Sequence, residues 1–204
     1  RRGLFAFGSS LDQVGPLART ARDAALLLSV MAGRDPGDAT SRPEPVPPGL
    51  ADLQPAVRGL KLGLPRQYFD DRVEAAVAAR VREGTEVLAG LGAQLREEDL
   101  PLTEYAIPAY YLTANSEAAS NLARYDGVRY GRREGSEGGL HSLYRRSRSA
   151  GFGAEVKRRI LLGTFCLSAG YHDQWYGKAL QVRTLVRREF AAAFARVDLL
   201  VAPT

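Results

Sequence analysis

Two adjacent serines raise the question of what chemistry this chain can perform. Ser9 and Ser10 stand in the segment FGSSLDQVGPLART, with Asp12 just beyond them. A catalytic serine needs a base within hydrogen-bond reach and donors for the oxyanion. The sequence has no G-x-S-x-G motif and no S-x-x-K pair, and its two histidines, His141 and His172, lie far along the chain. We therefore favour the interpretation that these hydroxyls satisfy turn backbone together with Asp12, while a Ser-His-Asp triad assembled in space stays open.

The other residue types exclude several kinds of site. The single cysteine, Cys166, rules out an internal disulfide and a multi-cysteine zinc site, and we expect it to be a small core residue rather than a reactive thiol. No Walker A, G-x-G-x-x-G or H-E-x-x-H motif occurs. No apolar run reaches the roughly 18 residues that span a bilayer. We expect no membrane contact, no metal site and a cytoplasmic location.

Positive charge is concentrated between residues 124 and 159. This stretch contains nine arginines and one lysine against four acidic residues, with aromatic side chains between the arginines. Such a stretch is compatible with an anionic partner, including nucleic acid. Because no RNA-binding module signature accompanies it, we favour a solvated basic face, and a contact with tRNA phosphates stays open.

Helical and strand patterns alternate in the first half of the chain. LDQVGPLART predicts a short strand and turn, and Thr20 then predicts the N-cap of a helix over 21–32 that ends at Gly33. A proline-rich connection over 33–50 follows, which we expect to be an extended surface loop. Strands are predicted in GLKLGLP and near GAQLREEDL, with an amphipathic helix between them.

The second half is predicted to be mainly helical. Helices are predicted over three ranges, roughly 103–125, 152–169 and 171–195. The polar segment GRREGSEGGLHS is predicted to be a loop between the first two helices, and VDLLVAPT predicts a final strand. The order of elements indicates an α/β fold, with a mixed β-sheet flanked by helices.

The helix over 152–169 carries the most informative arginine. At 100° per residue, apolar side chains fill most of its circumference, so we expect it to be largely buried. Its narrow polar stripe consists of Lys157, Thr164 and Ser168. Arg159 falls in the apolar part beside Gly163, whose missing side chain is expected to leave room for a ligand. An unpaired guanidinium there is costly. Its partner is either Glu155, four residues earlier, or the carboxylate of a substrate, which a guanidinium can bind with two parallel hydrogen bonds. Arg158 is the fallback for the same role.

Several segments resemble a known family. RGLFAFGSSLDQVGPLARTARDAALLLSVMAGRDPGDATS is similar to the segment just after the catalytic serine of the amidase signature family. SEAASNLARYDGVRYG and GFGAEVKRRILLGTFCLSAGYHDQWYGKALQVRTL resemble one branch, the A subunits of glutamyl-tRNA(Gln) or aspartyl-tRNA(Asn) amidotransferases. The similarity runs from residue 3 to residue 204. The sequence departs from the family pattern at four positions: Asn115, His172, Trp175 and Gly177.

The resemblance implies an amidase signature fold in which residues 1–204 are part of a single domain, truncated at both ends. Members of the family use a Ser, cis-Ser, Lys triad whose signature precedes this chain, so the chain would hold no catalytic residue and would be inactive alone. Ser9 and Ser10 would then not be the nucleophile. An arginine of EVKRR and a tyrosine of the YY pair help to hold glutamine in the family, and they correspond best to Arg159 and Tyr110.

The same resemblance implies a function for the complete protein. It would hydrolyse glutamine and supply ammonia that converts Glu-tRNA(Gln) or Asp-tRNA(Asn) to Gln-tRNA(Gln) or Asn-tRNA(Asn). B and C subunits would complete the complex, and the B subunit would bind ATP and Mg²⁺ and most of the aminoacyl-tRNA. The alternatives are an amidase-signature hydrolase that acts on other amides and a non-catalytic basic module that binds RNA or protein.

Overall fold

The structure, a computed structural model, describes residues 3–47, 49, 56–135 and 137–204. It divides into two compact units, residues 1–55 and residues 56–204, and each is described by itself. The assignment of residues 1–204 to a single domain, truncated at both ends, stays a prediction.

The first unit contains helix α1 (Ala21–Met31). Thr20 caps it as predicted, because its hydroxyl accepts a hydrogen bond from the Asp23 amide at 3.1 Å. The predicted strand in LDQVGPLART is wrong, since residues 3–20 form no strand. Gly15 and Pro16 interrupt that segment, and a proline has no N–H to contribute to a sheet.

Turns dominate the rest of the first unit. Asp35 and Asp38 accept hydrogen bonds from backbone amides two residues further on, at 2.8 Å and 2.9 Å. These Asx turns fold the connection locally, and most side chains of residues 34–47 are exposed. The predicted surface connection is therefore confirmed for residues 34–47, although part of it is turned rather than extended.

The second unit contains a three-stranded sheet. The strands β1 (Lys61–Pro65), β2 (Gln94–Glu98) and β3 (Leu199–Leu200) have the order β2-β1-β3, and β1 pairs in parallel with both neighbours. Helix α2 (Ala75–Gly90) connects β1 to β2. The α/β class is confirmed, but the mixed sheet is not, because all strands that the described residues form are parallel. A parallel pair needs a crossover, and α2 is such a crossover.

The segment around β3 is held against both β1 and β2 by close contacts. Asp198 accepts a hydrogen bond from the Lys61 amide at 2.8 Å, and the buried Glu98 carboxylate pairs with Arg196. A Cβ on Gly63 would lie 2.7 Å from a Leu200 side-chain carbon and 2.9 Å from the Glu98 Cγ, so a larger residue here would displace these two side chains. The predicted final strand is therefore confirmed, in a short form.

Helices form the remainder of the second unit. A 3-10 turn (Pro101–Tyr105) leads into α3 (Ala106–Leu122), followed by α4 (Gly139–Gly151), α5 (Ala154–Leu167), a π-helical turn (Asp173–Gly177) and α6 (Lys178–Phe194). Helix α4 was not predicted, because it begins inside the glycine-rich segment that indicated a loop. Its buried side chains, Leu143 and Ser147, are spaced four residues apart, and only one of them is apolar.

Helix α5 packs on α3 along a narrow strip. The buried side chains of α3 are small, so the two helices approach closely; they are Ala109, Thr113, Ala114, Asn115, Ser116, Ala118 and Ala119. On α5 only Gly163 and Cys166 are buried, and Leu161 is 71% exposed. The prediction that this helix is largely buried is wrong for the described chain, because α3 covers one strip of α5 and leaves its other apolar side chains exposed.

Candidate functional site

Arg159 lies on the second turn of α5 and is held by Glu155 from the first turn. The Arg159 Nε donates to Glu155 Oε1 at 2.8 Å, across a spacing of four residues that places both side chains on one face. Arg158 donates to the other oxygen, Oε2, at 2.7 Å through Nη2 and at 2.8 Å through Nε. The intrahelical partner predicted from the sequence, Glu155, is therefore present, and its second pairing, with Arg158, follows from the i,i+3 spacing.

Two tyrosines of α3 face the same guanidinium. The Arg159 guanidinium carbon lies 5.8 Å from the centre of the Tyr111 ring, within the range of a cation–π contact. Tyr110 lies close enough to raise the pKa of Arg159, and its ring meets the Tyr111 ring edge-on at 5.4 Å. The structure thus brings together Tyr110 and Arg159, the two residues predicted to bind substrate, and adds Tyr111 beside them.

The positive and negative charges of this cluster do not cancel. Glu155 is the carboxylate that both arginines share, and hydrogen bonds from Arg159 and then Arg158 lower its pKa from the ordinary value. The hydrogen bond to Glu155 raises the pKa of Arg159, burial opposes that increase, and Tyr110 raises it further. One acid against two arginines leaves the cluster with one positive charge in excess.

Exposure also separates the two arginines. The Arg159 side chain is 24% exposed and lies against the tyrosines, whereas the Arg158 side chain is 67% exposed. Tyr110 is itself 41% exposed, so the guanidinium and the phenol share an accessible surface. Arg159 is therefore the better placed of the two for a ligand carboxylate that also contacts Tyr110.

Gly163 does not leave room for a ligand, which corrects the sequence-based expectation. A Cβ at this position would lie 1.9 Å from the Asn115 backbone oxygen and 2.8 Å from the Ala119 Cβ. The space beside Gly163 is filled by α3. The glycine acts indirectly, because it lets α5 come close enough to α3 for Arg159 to reach Tyr110 and Tyr111.

Aromatic side chains continue from the α5 surface to the π-helical turn. The Phe165 and Tyr171 rings lie 4.7 Å apart, and Trp175 within the turn is 38% exposed. This turn contacts both α3 and α5, and π-helical turns are frequent at functional sites. The sequence pattern predicts an ordinary helix over this range, and the departures at His172, Trp175 and Gly177 are the signal that distinguishes it.

A groove near the sheet lies away from this cluster. It has a volume of about 340 Å³ and is lined by Arg66, Phe69, Arg82, Arg96 and Glu97, among others. A smaller groove of about 230 Å³, with Phe152, Ile160 and Leu161, lies between α4 and α5. Neither lining includes Tyr110 or Arg159, so the candidate site is a surface of converging polar groups rather than a cavity.

The family described as Amidase matches residues 1–204. The chain belongs to the amidase family. Over its whole length it is 54% identical to the A subunit of the glutamyl-tRNA(Gln) amidotransferase of Carboxydothermus hydrogenoformans and 55% identical to that of Moorella thermoacetica. It spans 42% of the length of each of these relatives.

A solved structure supports the same family. The A subunit of the glutamyl-tRNA(Gln) amidotransferase of Thermotoga maritima is 31% identical to this amidase chain and aligns with a TM-score of 0.67. The alignment covers 98% of this chain and 40% of that one. The family resemblance inferred from the sequence motifs is therefore confirmed.

In this amidase chain the two serines lie in a turn. Leu11 and Asp12 amides donate to the Gly8 oxygen at 2.8 Å and 2.7 Å. The Asp12 carboxylate accepts from the Phe7 and Gly8 amides at 2.9 Å and 3.0 Å. The predicted turn is confirmed. As expected, the Asp12 carboxylate accepts hydrogen bonds from the backbone of the turn, so it has a structural role.

The remaining candidate nucleophile is Cys166, and the remaining candidate bases are His141 and His172. Cys166 is 5% exposed, and burial raises the pKa of its thiol, as expected for a core residue. His172 contacts its neighbour Asp173 at 2.9 Å, and His141 is exposed on α4. Within residues 3–47, 49, 56–135 and 137–204, no group of His, Cys, Asp and Glu is arranged to hold a metal ion. Helices of the described chain are too short or too polar to cross a membrane.

Several arginines of the basic stretch hold the backbone around α4 in place. Arg148 donates to the Leu122 and Tyr125 oxygens at 2.9 Å and 3.1 Å, and Arg146 donates to the Glu134 oxygen at 3.2 Å. Arg148 also stacks on Phe152, with its guanidinium carbon 5.0 Å from the ring centre. These arginines have structural roles, so the basic stretch is not simply a solvated face.

Proposed function

We propose that this chain is part of the glutamine-hydrolysing A subunit of a tRNA-dependent amidotransferase and contributes one side of the glutamine pocket. The observation that supports the proposal best is the convergence of Arg159 and Tyr110, together with Tyr111, on one accessible surface. The family, and relatives that are named as A subunits of glutamyl-tRNA(Gln) amidotransferases, supply the chemical context.

Arg159 and Tyr110 bind the amino-acid end of glutamine in this proposal. A planar guanidinium offers two parallel N–H groups to a carboxylate, and the excess positive charge of the cluster favours an anion. The Tyr110 hydroxyl orients the same end, and the exposed aromatic side chains nearby shield the aliphatic part of glutamine from water. The side-chain amide then points away from α5, towards the catalytic groups.

Those catalytic groups belong to the rest of the complete protein in this account. The chain spans 42% of the length of its relatives, and its sequence has no S-x-x-K pair and no G-x-S-x-G motif. The serine attacks the carboxamide, and the lysine, acting through the cis-serine, relays the proton to the departing ammonia. This chain supplies binding and orientation, and we expect it to be inactive alone.

B and C subunits complete the enzyme in this proposal. The B subunit binds ATP and Mg²⁺ and most of the aminoacyl-tRNA, and it uses the ammonia to amidate Glu-tRNA(Gln) or Asp-tRNA(Asn). The reaction belongs to translation, so we assign the assembly to the cytoplasm.

The decisive test is an assay of the full-length protein with and without B and C subunits. We expect glutamine hydrolysis that depends on assembly, and amidation of misacylated tRNA when ATP and Mg²⁺ are present. Rapid hydrolysis of simple aryl or alkyl amides, with no glutamine use in the assembled complex, would instead identify a different amidase. Salt-dependent tRNA binding by this chain alone would support the non-catalytic alternative.

A further inference from the structure

Glu155 connects the two arginines of the cluster in a way that a single ion pair would not. Each of its carboxylate oxygens accepts a hydrogen bond from a different arginine. Oε1 accepts from Arg159, and Oε2 accepts from Arg158. The carboxylate therefore lies between a guanidinium that faces the tyrosines of α3 and one that faces solvent. Glu155 can pair with both arginines because one lies three residues and the other four residues further along the same helix.

The bond to Glu155 fixes the direction of the Arg159 guanidinium. It is made by Nε, at the base of a planar group, so the plane and the direction of both Nη nitrogens are set once this bond and the Tyr111 contact are made. A long arginine side chain otherwise loses much rotamer freedom when a ligand binds. Holding it in place beforehand lowers the cost of binding the ligand.

Arg158 corrects the electrostatic disadvantage of this arrangement. A carboxylate placed next to a binding arginine repels an anionic ligand, and Glu155 is half exposed. Because Arg158 pairs with the same carboxylate, the group of three keeps one positive charge in excess. Without Arg158, Glu155 and Arg159 would cancel each other, and the ligand carboxylate would meet a neutral pair.

We propose that Glu155 and Arg158 form a positioning pair, in which Glu155 orients Arg159 across the tyrosines of α3 and Arg158 neutralises Glu155, for the recognition of a substrate carboxylate. This inference rests on the proposed function, since it takes the ligand of Arg159 to be the carboxylate of glutamine. Neither residue of the pair touches the substrate.

A structural role for Glu155 predicts a different outcome. An acid in the first turn stabilises a helix, and exposed i,i+3 and i,i+4 pairs contribute little to folding. Removing Glu155 would then shift the thermal midpoint slightly and leave the KM for glutamine unchanged. Arg80 and Glu83 form a similar exposed pair on α2, so Glu83→Gln is a matched control for the loss of such a pair.

The experiment measures glutamine-dependent and ammonium-dependent amidation by the assembled full-length enzyme. We expect Glu155→Gln to raise the KM for glutamine about fivefold and Arg158→Gln about threefold, with kcat changed less than about twofold. The double variant should raise KM by about fivefold rather than the fifteenfold expected for independent residues, because Arg158 acts through Glu155. Ammonium-dependent activity should be unchanged in all three variants and in Glu83→Gln.

Two results would overturn the inference. One is a KM for glutamine in Glu155→Gln equal to that of Glu83→Gln, and the other is fully multiplicative effects of the two substitutions. Arg159→Lys, measured in parallel, separates this failure from failure of the proposed function. If Arg159→Lys raises KM while Glu155→Gln does not, only the positioning pair is wrong. If Arg159→Lys also leaves KM unchanged, Arg159 does not bind glutamine and the proposed function loses its support.

Discussion

Helix α5 makes two different kinds of contact within about one turn, a backbone contact at Gly163 and a side-chain contact at Arg159. At Gly163 the α3 backbone is so close that a Cβ would lie 1.9 Å from the Asn115 oxygen. Four residues earlier, Arg159 is 24% exposed and is held by an ion pair and an aromatic ring. The first contact determines where the two helices lie, and the second determines where one side chain points. Stability and binding should therefore respond to different substitutions on the same helix.

The largest effect on stability is expected at the close contact. Gly163→Ala places a methyl group where the α3 backbone lies, so the helices must separate. We expect the free energy of unfolding to fall by about 3 kcal/mol, despite the higher helix propensity of alanine. Denaturant unfolding of the full-length protein measures this loss.

Gly84→Ala on α2 is the matched control for this substitution. Gly84 also lies within a helix, but nothing lies within 4 Å of its added Cβ. Alanine should stabilise that helix by up to about 1 kcal/mol. Equal effects of the two glycine substitutions would show that the α3–α5 contact is less close than described.

A smaller loss of stability is expected at the buried carboxylate of β2. Glu98 has a side chain that is 4% exposed, and it pairs with Arg196, so Glu98→Gln removes the charge that this arginine needs. Arg196 is 53% exposed and can be solvated, which limits the loss. The midpoint of thermal unfolding should fall by less than in Gly163→Ala, whereas Glu155→Gln should lower it only slightly because its ion pairs are largely exposed. A larger fall in Glu155→Gln than in Glu98→Gln would contradict this order.

The smallest effect concerns acidic pH. Arg159 and Arg158 lower the pKa of Glu155, so the contribution of this carboxylate is complete above the ordinary glutamate pKa. It is lost only as the pH falls through the lower pKa of the folded protein. The KM for glutamine should therefore stay constant on mild acidification. A rise in KM that begins well above the ordinary glutamate pKa, and that Glu155→Gln abolishes, would show that the carboxylate is not held by the two arginines.

Local sequence patterns predicted most of the elements. The Thr20 cap, the strands β1 and β2 and the crossover helix between them follow from side-chain capping and from apolar spacing, which act over a few residues. Helix α4 could not be predicted, because its glycine-rich start and polar surface resemble a loop. Its position depends on contacts such as the bonds from Arg148 to the Leu122 and Tyr125 oxygens, more than 20 residues away.

The candidate site was only partly predictable for a related reason. Helical spacing identified Arg159 and Glu155, and the family resemblance added Tyr110. The role of Gly163 was misjudged, since a missing side chain can leave a space or admit a neighbouring backbone, and the sequence does not distinguish these. The expected burial of α5 failed because the small residues of α3 cover only one strip of it.

The central claim is that Arg159 recognises the carboxylate of glutamine. Arg159→Lys keeps the charge but loses the planar pair of N–H groups, so it should impair glutamine use while the fold is retained. The most direct measurement is the ratio of glutamine-dependent to ammonium-dependent amidation by the assembled full-length enzyme. We expect this ratio to fall about tenfold or more in Arg159→Lys, with ammonium-dependent activity unchanged. An unchanged ratio, or an equal loss of both activities, would show that Arg159 serves only as the structural partner of Glu155.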